Sequence, residues 1–456
     1  MFEKVIEQKP SKLLELSIAV MIGFAYACLL LVFSFKFVLC FTIAIVAAIY
    51  FVRKPKGMLY FLVLMYPCMT IIINGSQAGP NDSYTGINMG GILNIFTVML
   101  TGFLLLARHF KLPGKSIMLP ALIIFLGIIA LSIIESPFKL ISLREWFRYA
   151  VQACCYFLVL FSLRDRNDRR NFLEKIFYLS TILPIVFALY QIIHRDFTFA
   201  ASGLGLGRAY GTFAHPNSLA MFIVISMLLG FYLLSSKKGK DKFLTIGYLF
   251  FCGVVLLFTF TRIAWFSFAI AFMVFGFLKF RKELIFFIVF VLILSFFAPA
   301  LQHKVAERLK PEGSYWLRFK LNSIGMEAFK QKPILGHGIG MFPFLSRSSV
   351  GDVTNTYGFK TGLVAHNDYM RFLATTGILG LLAFLYMFYR AFKIVIKLKS
   401  RRFVDGKNYW VFLLSFLIAL LVYAISDQSF EVAGIYFWVF IAIGELSLSD
   451  IAPTQE

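Results

Sequence analysis

The sequence predicts an all-α, polytopic membrane protein with about 14 transmembrane helices. The chain is 59% hydrophobic with a mean hydropathy of +0.80, whereas soluble domains are about 45–50% apolar. Apolar runs of about 20 residues recur along the chain, and each can cross a bilayer of about 30 Å. Short basic segments separate many of these runs. We therefore expect residues 1–456 to form a single integral membrane domain in the lipid bilayer.

The predicted spans follow the apolar runs. Their centres lie near residues 23, 44, 65, 99, 126, 154, 184, 226, 252, 271, 292, 383, 417 and 440. Two pairs are barely separated, the first with the second and the ninth with the tenth, so a count of about 12 is the alternative. The first span lacks a small-residue cleavage pattern, which indicates a retained anchor.

The basic connections set the predicted orientation. They are RKPKG at Arg53, RHFKLPGK at Arg108, RDRNDRR at Arg164, SSKKGKDK at Ser235, KFRKE at Lys279 and KLKSRR at Lys397. All six fall on one side if the spans alternate, and the positive-inside bias makes that side cytoplasmic. Both termini are then cytoplasmic. This bias also explains much of the +22 net charge, so we expect no nucleic acid as a partner.

The opposite, extracytoplasmic face has the irregular segments. The longest is the loop over residues 301–365, and connections of more than about 15 residues are usually functional or disordered. The amphipathic stretch SYWLRFKLNSIGMEAFKQ predicts that this loop is partly helical and lies along the outer membrane surface. Arginines occur on this face despite the positive-inside bias, which favours binding of an anionic group. They are Arg195, Arg208, Arg262, Arg308, Arg318, Arg347 and Arg371.

Arg208 lies in the glycine-rich stretch GLGLGRAYGTFAHPNSLAMF. Such a loop lets the backbone approach a ligand and can direct N–H groups at an anion. Pro216 and Asn217 then open the next span, because Pro is favoured in the first helical turn, and we expect Asn217 to support the site. The alternative is a flexible re-entry loop with a snorkelling arginine.

Arg262 interrupts nearly 40 otherwise apolar residues. A charged side chain in such a segment is costly and indicates a functional site. The alternative is a tight helical hairpin whose tip reaches water.

His366, Asn367 and Asp368 precede an apolar span. Histidine can accept and pass on a proton near neutral pH, and the two neighbours could orient it or bind sugar hydroxyls. The alternative is an ordinary N-cap, which would account for Asn367 or Asp368 but not for His366.

We expect no metal and no cofactor. His215, His303 and His337 share the predicted face with His366 and Asp352, but without H-x-H or H-x-x-x-H spacing. The six cysteines all lie in apolar segments and are expected to be small apolar residues.

Four motifs together resemble the O-antigen ligase and O-antigen polymerase family of bacterial membrane glycosyltransferases. They are GRAYGTFAHPNSLA, TFTRIAWFS, RFKLNSIGMEAFKQKPILGHGIGMF and AHNDYMRFLATTGILGL, within residues 203–381. The resemblance implies a GT-C-like fold, commonly of about 12 spans, in the bacterial plasma membrane, with the active site on the extracytoplasmic face. It also implies a glycan donor on undecaprenyl diphosphate, with Arg208, Arg262 and Arg318 at the diphosphate and His366 as the catalytic residue.

The chemistry of these residue types agrees with that role. Guanidinium groups neutralise a departing diphosphate, and a base activates a sugar hydroxyl. We therefore expect a metal-independent, inverting transfer of the glycan to an acceptor hydroxyl. A ligase and a repeat-unit polymerase remain alternatives. A transporter of lipid-linked glycans would favour internal repeats and midplane charges, and the sequence contains no obvious repeat.

Overall fold

We describe the chain from a computed structural model. It describes residues 46–47, 50–68, 89–107, 116–194, 207–213, 215–279, 281–282, 284–285, 288–289, 314–350, 353–354, 360–361, 363–400 and 408–450. By its internal contacts the chain divides into two units, Met1–Gly57 and Met58–Glu456. In the first unit the described residues include a helical turn in which the Lys54 amide donates to the Tyr50 carbonyl at 2.8 Å.

The described residues are almost entirely helical. The helices are α1 (Pro55–Met65), α2 (Met89–Ala107), α3 (Leu119–Ser132), α4 (Lys139–Ser162), α5 (Arg166–His194), α6 (Pro216–Leu234), α7 (Gly239–Phe258), α8 (Arg262–Leu278), α9 (Ser314–Gln331), α10 (Phe342–Val350), α11 (Asp368–Ser400), α12 (Tyr409–Ala424) and α13 (Ser429–Ser449). Two 3₁₀ turns, Tyr66–Cys68 and Ile133–Glu135, extend α1 and α3. Strands β1 (Val353–Thr354) and β2 (Lys360–Thr361) pair antiparallel, with Val353 opposite Thr361.

Several helices are long and apolar enough to cross a membrane. Among the described residues, five meet both criteria, namely α5, α6, α7, α11 and α13. Shorter apolar helices occur at 94–106, 119–135, 262–278 and 409–424. The prediction of a helical membrane protein is confirmed. The count of about 14 stays a prediction, because the predicted centres near residues 23, 44 and 292 lie outside the described residues.

Helices α6 and α13 form the centre of the helical assembly. In each of these two helices, 89% of the most apolar 18-residue stretch is buried, compared with 33% in α7. Helix α13 packs on α4, α6, α11 and α12, and α6 also packs on α5, α7 and α8. Outward faces expose large apolar side chains, such as Leu106, Phe243 and Phe277. A bilayer would cover these faces, since apolar patches of this extent are unusual on soluble proteins.

The two ends of the assembly differ in chemistry. At one end, Asp450, just after α13, pairs with Arg166 and Arg169, and Lys237 lies 2.9 Å from Glu174. These contacts bring two of the predicted cytoplasmic basic segments to the same end of the assembly. Helix α13 begins at the other end, where α4, α6, α8 and α11 also begin.

Helix α11 breaks at Gly377, whose φ of 65° and ψ of −168° are not helical. The segment 333–340 packs against this break through backbone hydrogen bonds. Ile378 donates to Pro333 at 2.8 Å, and Gly338 donates to Thr375 at 2.8 Å. A Cβ on Gly377 would lie 2.1 Å from the Ile334 carbonyl oxygen, so both φ and contact distance require glycine here.

Helix α9 covers the first part of α11 and occupies the stretch that the amphipathic pattern indicated. Its buried side packs into a small apolar cluster that includes Leu321, Ala328, Phe342, Ala365 and Ala374. Trp316 and Phe319 are exposed, at 77% and 66%. The prediction of a helix within the long loop is therefore confirmed, while its position along the membrane surface stays a prediction.

Candidate active site

Four helices of the second unit begin at one place. Asn217, in the first turn of α6, contacts Thr261, the residue before α8, with 3.2 Å between Thr261 Oγ1 and Asn217 Oδ1. Asn217 Nδ2 also donates to Asp427, which precedes α13. The start of α11 joins the group through His366. Helix N-termini have partial positive charge and exposed N–H groups, so their convergence favours an anion.

His366 is paired with a buried carboxylate. Its Nδ1 lies 3.3 Å from Asp427 Oδ1, and the side chain remains 22% exposed. When Nδ1 is protonated it donates to Asp427, which leaves Nε2 as the proton acceptor. A carboxylate behind one ring nitrogen thus fixes the tautomer that a general base requires.

Asp427 connects three of the helix starts. Besides His366 and Asn217, it accepts the Gln428 amide at 2.8 Å. Burial by itself would raise the pKa of Asp427, but the hydrogen bond from His366 lowers it well below its usual value. The carboxylate is therefore ionised at neutral pH and can stabilise an imidazolium on His366.

Arg208 donates hydrogen bonds to residues of two helix starts and of the turn before α8. Its Nε donates to the Thr259 carbonyl at 2.7 Å, and Nη2 donates to Asn217 Oδ1 at 2.8 Å and Thr261 Oγ1 at 2.9 Å. These partners fix the plane of the guanidinium beside the helix starts. An oriented cation of this kind stabilises an anion without reorganising.

Three consecutive amides of the glycine-rich loop bond within the protein and not to a ligand. Over residues 209–211 the N–H groups bond within the protein, because Ala209 donates to Phe258 and both Tyr210 and Gly211 donate to Gln191 Oε1. The expectation of backbone anion binding is therefore wrong for these three residues. Residues 203–206 lie outside the described part. The loop positions the Arg208 side chain instead.

Arg318 and Arg262 lie next to the group of helix starts around Asp427 and Arg208. Arg318 Nη1 donates to Ser426 Oγ, next to Asp427. Arg262 is half-buried at the first position of α8, directly after Thr261. All three arginines assigned by resemblance thus belong to segments that meet here. Of the other predicted outer arginines, Arg371 is buried and pairs with Asp368, while Arg195 and Arg308 lie outside the described residues.

His215 caps α6 next to His366. Its Nδ1 accepts the Asn217 amide at 3.1 Å, and its ring centroid is 6.4 Å from that of His366. Burial lowers the pKa of His215 to about 4. The charge of Asp427 acts to raise this pKa, whereas the positive charge of Arg208 acts to lower it. His215 is therefore neutral at physiological pH and serves as a cap.

Two bulky residues have left-handed backbone conformations at this site. His366 has a φ of 49°, and Phe260, between Thr259 and Thr261, has a φ of 47°. Such angles are uncommon outside glycine and cluster at functional sites. The first sets the position of the histidine, and the second shapes the turn that holds Arg208.

Asn367 and Asp368 have different structural roles. Asn367 Oδ1 accepts the Met370 amide at 3.1 Å, so it is the N-cap, and its Nδ2 donates to Asn322 of α9 at 3.3 Å. Asp368 Oδ2 accepts from Ser429 Oγ at 2.8 Å and from the Phe430 amide at 3.0 Å. Both residues therefore hold the histidine-bearing turn against α9 and α13.

Asp427 is a site residue that the sequence motifs did not indicate. It is the one acidic residue in the connection between α12 and α13, residues 425–428, and a charge in so short a connection is the signal that could have identified it. His303 and Asp352 lie outside the described residues, and His337 Nε2 lies 3.0 Å from the Ala328 carbonyl. Among the described residues, no three His, Cys, Asp or Glu side chains form a metal-type group.

These features define an integral membrane protein with a cationic, histidine-containing site at one end of its apolar helices. Residues 247–385 match the family model described as O-Antigen ligase. No curated protein matches the chain. The matched segment covers less than half of the chain and includes Arg262, Arg318 and His366 to Asp368, whereas Arg208, Asn217 and Asp427 lie outside it. The resemblance to the O-antigen ligase family, predicted from the sequence, is confirmed by this segment, which indicates glycan ligation or polymerisation in surface polysaccharide synthesis.

Proposed function

We propose that the protein transfers a glycan from undecaprenyl diphosphate to an acceptor hydroxyl on the extracytoplasmic face of a bacterial plasma membrane. The observation that supports this most is the His366–Asp427 pair beside Arg208 and Arg318, where four helices begin. The pair supplies a base, and the arginines and helix N-termini supply positive potential for a diphosphate. One site thus contains the two functions that glycan transfer from a lipid diphosphate needs.

In the proposed reaction, His366 Nε2 accepts the proton of the acceptor hydroxyl as its oxygen attacks the anomeric carbon. The bond from that carbon to the diphosphate oxygen breaks, and the electron pair leaves with the diphosphate. Arg208, Arg262 and Arg318 stabilise the charge that develops on it. Asp427 stabilises the imidazolium. The displacement is direct, so the anomeric configuration inverts, and the arginines provide the positive charge without a metal.

The proposed topology has about 14 spans in a GT-C-like arrangement with both termini in the cytoplasm. The separation of the two ends supports this orientation. The basic segments at Arg166 and Lys237 lie at the end where α13 finishes, and His366 lies at the end where α13 begins.

The size of the lipid-linked glycans in a deletion strain tests the proposal and separates its two forms. Full-length polymer retained on the carrier would identify a ligase, and single repeat units on the carrier would identify a polymerase. Glycan trapped on the cytoplasmic leaflet would instead identify a transporter and contradict glycan transfer. Complementation with the intact chain should restore the normal distribution.

A further inference from the structure

A second polar cluster lies beside the histidine site. Two ion-paired groups form it, and we name it the Tyr149 cluster after the ring that they share. One group contains Arg148 between Glu145 and Glu431, and the other pairs Arg371 Nη2 with Asp368 Oδ1 at 2.6 Å. The guanidinium carbons of Arg148 and Arg371 lie 5.8 and 5.9 Å from the centroid of the Tyr149 ring.

The Tyr149 hydroxyl is buried without a partner. The residue is 1% exposed, and among the described residues its hydroxyl has no hydrogen-bond partner. The same holds for Nε of the buried Arg371. Buried polar groups are normally satisfied, and an orphaned one indicates a bound water or ligand. Solvent reaches the outer side of the cluster, where the side chain of Glu431 is 41% exposed and that of Arg148 is 30% exposed.

The cluster is structurally continuous with the histidine site. Asp368 is two residues from His366 on the same turn, and it bonds to Ser429 and Phe430. Glu431 follows directly in α13, four residues after Asp427. A ligand that presents a group to His366 would therefore extend toward these residues.

The charges of the cluster favour a hydroxyl-rich, uncharged ligand. Three carboxylates and two guanidinium groups give it a small negative net charge, which disfavours a second diphosphate. Sugar hydroxyls both donate and accept, so they can bond to carboxylates and to guanidinium groups at once. We infer that the Tyr149 cluster binds the ring of the acceptor sugar whose hydroxyl His366 activates; this inference rests on the proposed function.

Binding of a stated probe to the purified full-length chain tests this inference. The probe is the surface glycan of the deletion host, in which the acceptor sugar is still free, released from its lipid by mild acid and labelled with a fluorophore at one end. We expect Tyr149→Phe to weaken probe binding by about fivefold, as loss of one hydrogen bond predicts. The melting temperature of Tyr149→Phe should not fall, because the hydroxyl that it removes has no hydrogen-bond partner among the described residues. Glu431→Gln should weaken binding by about tenfold or more.

Two control variants make the experiment specific. Glu174→Gln changes a carboxylate at the opposite end of the assembly and should bind the probe as the wild type does. His366→Ala should abolish transfer but still bind the probe. Wild-type affinity in both Tyr149→Phe and Glu431→Gln, or no binding by the wild type, would overturn the inference. Normal transfer by His366→Ala would instead overturn the proposed function, so the two failures are distinguishable.

Discussion

At the scale of single residues, Asp427 organises the site. It contacts His366, Asn217 and its own helix start, and it has no counterpart in the motifs that indicated the family. A carboxylate in this position selects the histidine tautomer and stabilises the protonated ring. We therefore assign Asp427 as a positioning residue for His366.

Asp427→Asn tests this assignment. Asparagine has nearly the same shape and keeps an acceptor for the Gln428 amide, but it removes the negative charge. We expect the transfer rate to fall by about 10²-fold or more, within the range of general-base contributions, while donor binding changes little. A transfer assay with the purified variant measures the effect, and Glu174→Gln is the matched carboxylate control. A wild-type rate in Asp427→Asn would show that His366 acts without this partner.

At the scale of elements, the break in α11 fixes the segment that contains His366. Residues 333–340 bond to both sides of Gly377, and thus join the end of α9 to the middle of α11. Gly336 has a φ of 66°, and a Cβ there would lie 2.4 Å from the Thr375 backbone. Gly336 and Gly377 therefore allow the backbone of residues 333–340 to lie in contact with the backbone of α11.

Gly377→Ala should destabilise the protein and reduce transfer together. The new Cβ would meet the Ile334 carbonyl, and alanine disfavours this φ. The control is Gly127→Ala on α3, where an added Cβ has nothing within 4 Å, so its melting temperature and activity should match the wild type. The melting temperature in detergent is the measurement. Equal stability of Gly377→Ala and Gly127→Ala would contradict the requirement for glycine at the break.

The cap of α6 predicts a pH effect. The pKa of His215 is about 4 in the folded chain and about 6.5 when unfolded, so between these values the unfolded chain binds more protons. Stability is therefore lost as pH falls from about 6.5 to about 4. His215→Asn keeps a capping oxygen without titrating. The melting temperature of His215→Asn should fall less between pH 7 and pH 4.5 than that of the wild type. An equal fall in both proteins would exclude His215 as a source of the pH dependence.

At the scale of the whole molecule, the second unit separates a basic end from the end that contains the candidate site. Helix α13 joins them, since it begins beside Asp427 and ends beside Asp450 with its arginine partners. Almost every residue of α13 is buried. The central helix thus fixes the distance between the two ends.

The sequence was sufficient to predict the helices, but it predicted the candidate site only in part. Apolar length predicted the helices, and the described cysteines Cys68, Cys154, Cys155 and Cys252 are buried and free, as expected. Arg208 contacts Asn217, and Asp427 joins Asn217 to His366, while the roles of these residues stay predictions. The partner Asp427 was missed because its contact with His366 spans 61 residues, and no local pattern encodes such a pairing. The expectation that the glycine-rich loop directs its amides at an anion was wrong for Tyr210 and Gly211, because only the fold shows that Gln191 accepts from them.

The most direct test of glycan transfer is an assay with the purified chain in proteoliposomes, supplied with the lipid-linked glycan and acceptor extracts of its deletion host. Release of undecaprenyl diphosphate and the anomeric configuration of the product would be measured together. We expect the wild type to release the carrier as it transfers glycan with inversion, and His366→Ala and Arg262→Ala to lose about 10²-fold or more of the rate while remaining folded. Wild-type rates in both variants, or transfer with retained configuration, would contradict the arginine–histidine mechanism.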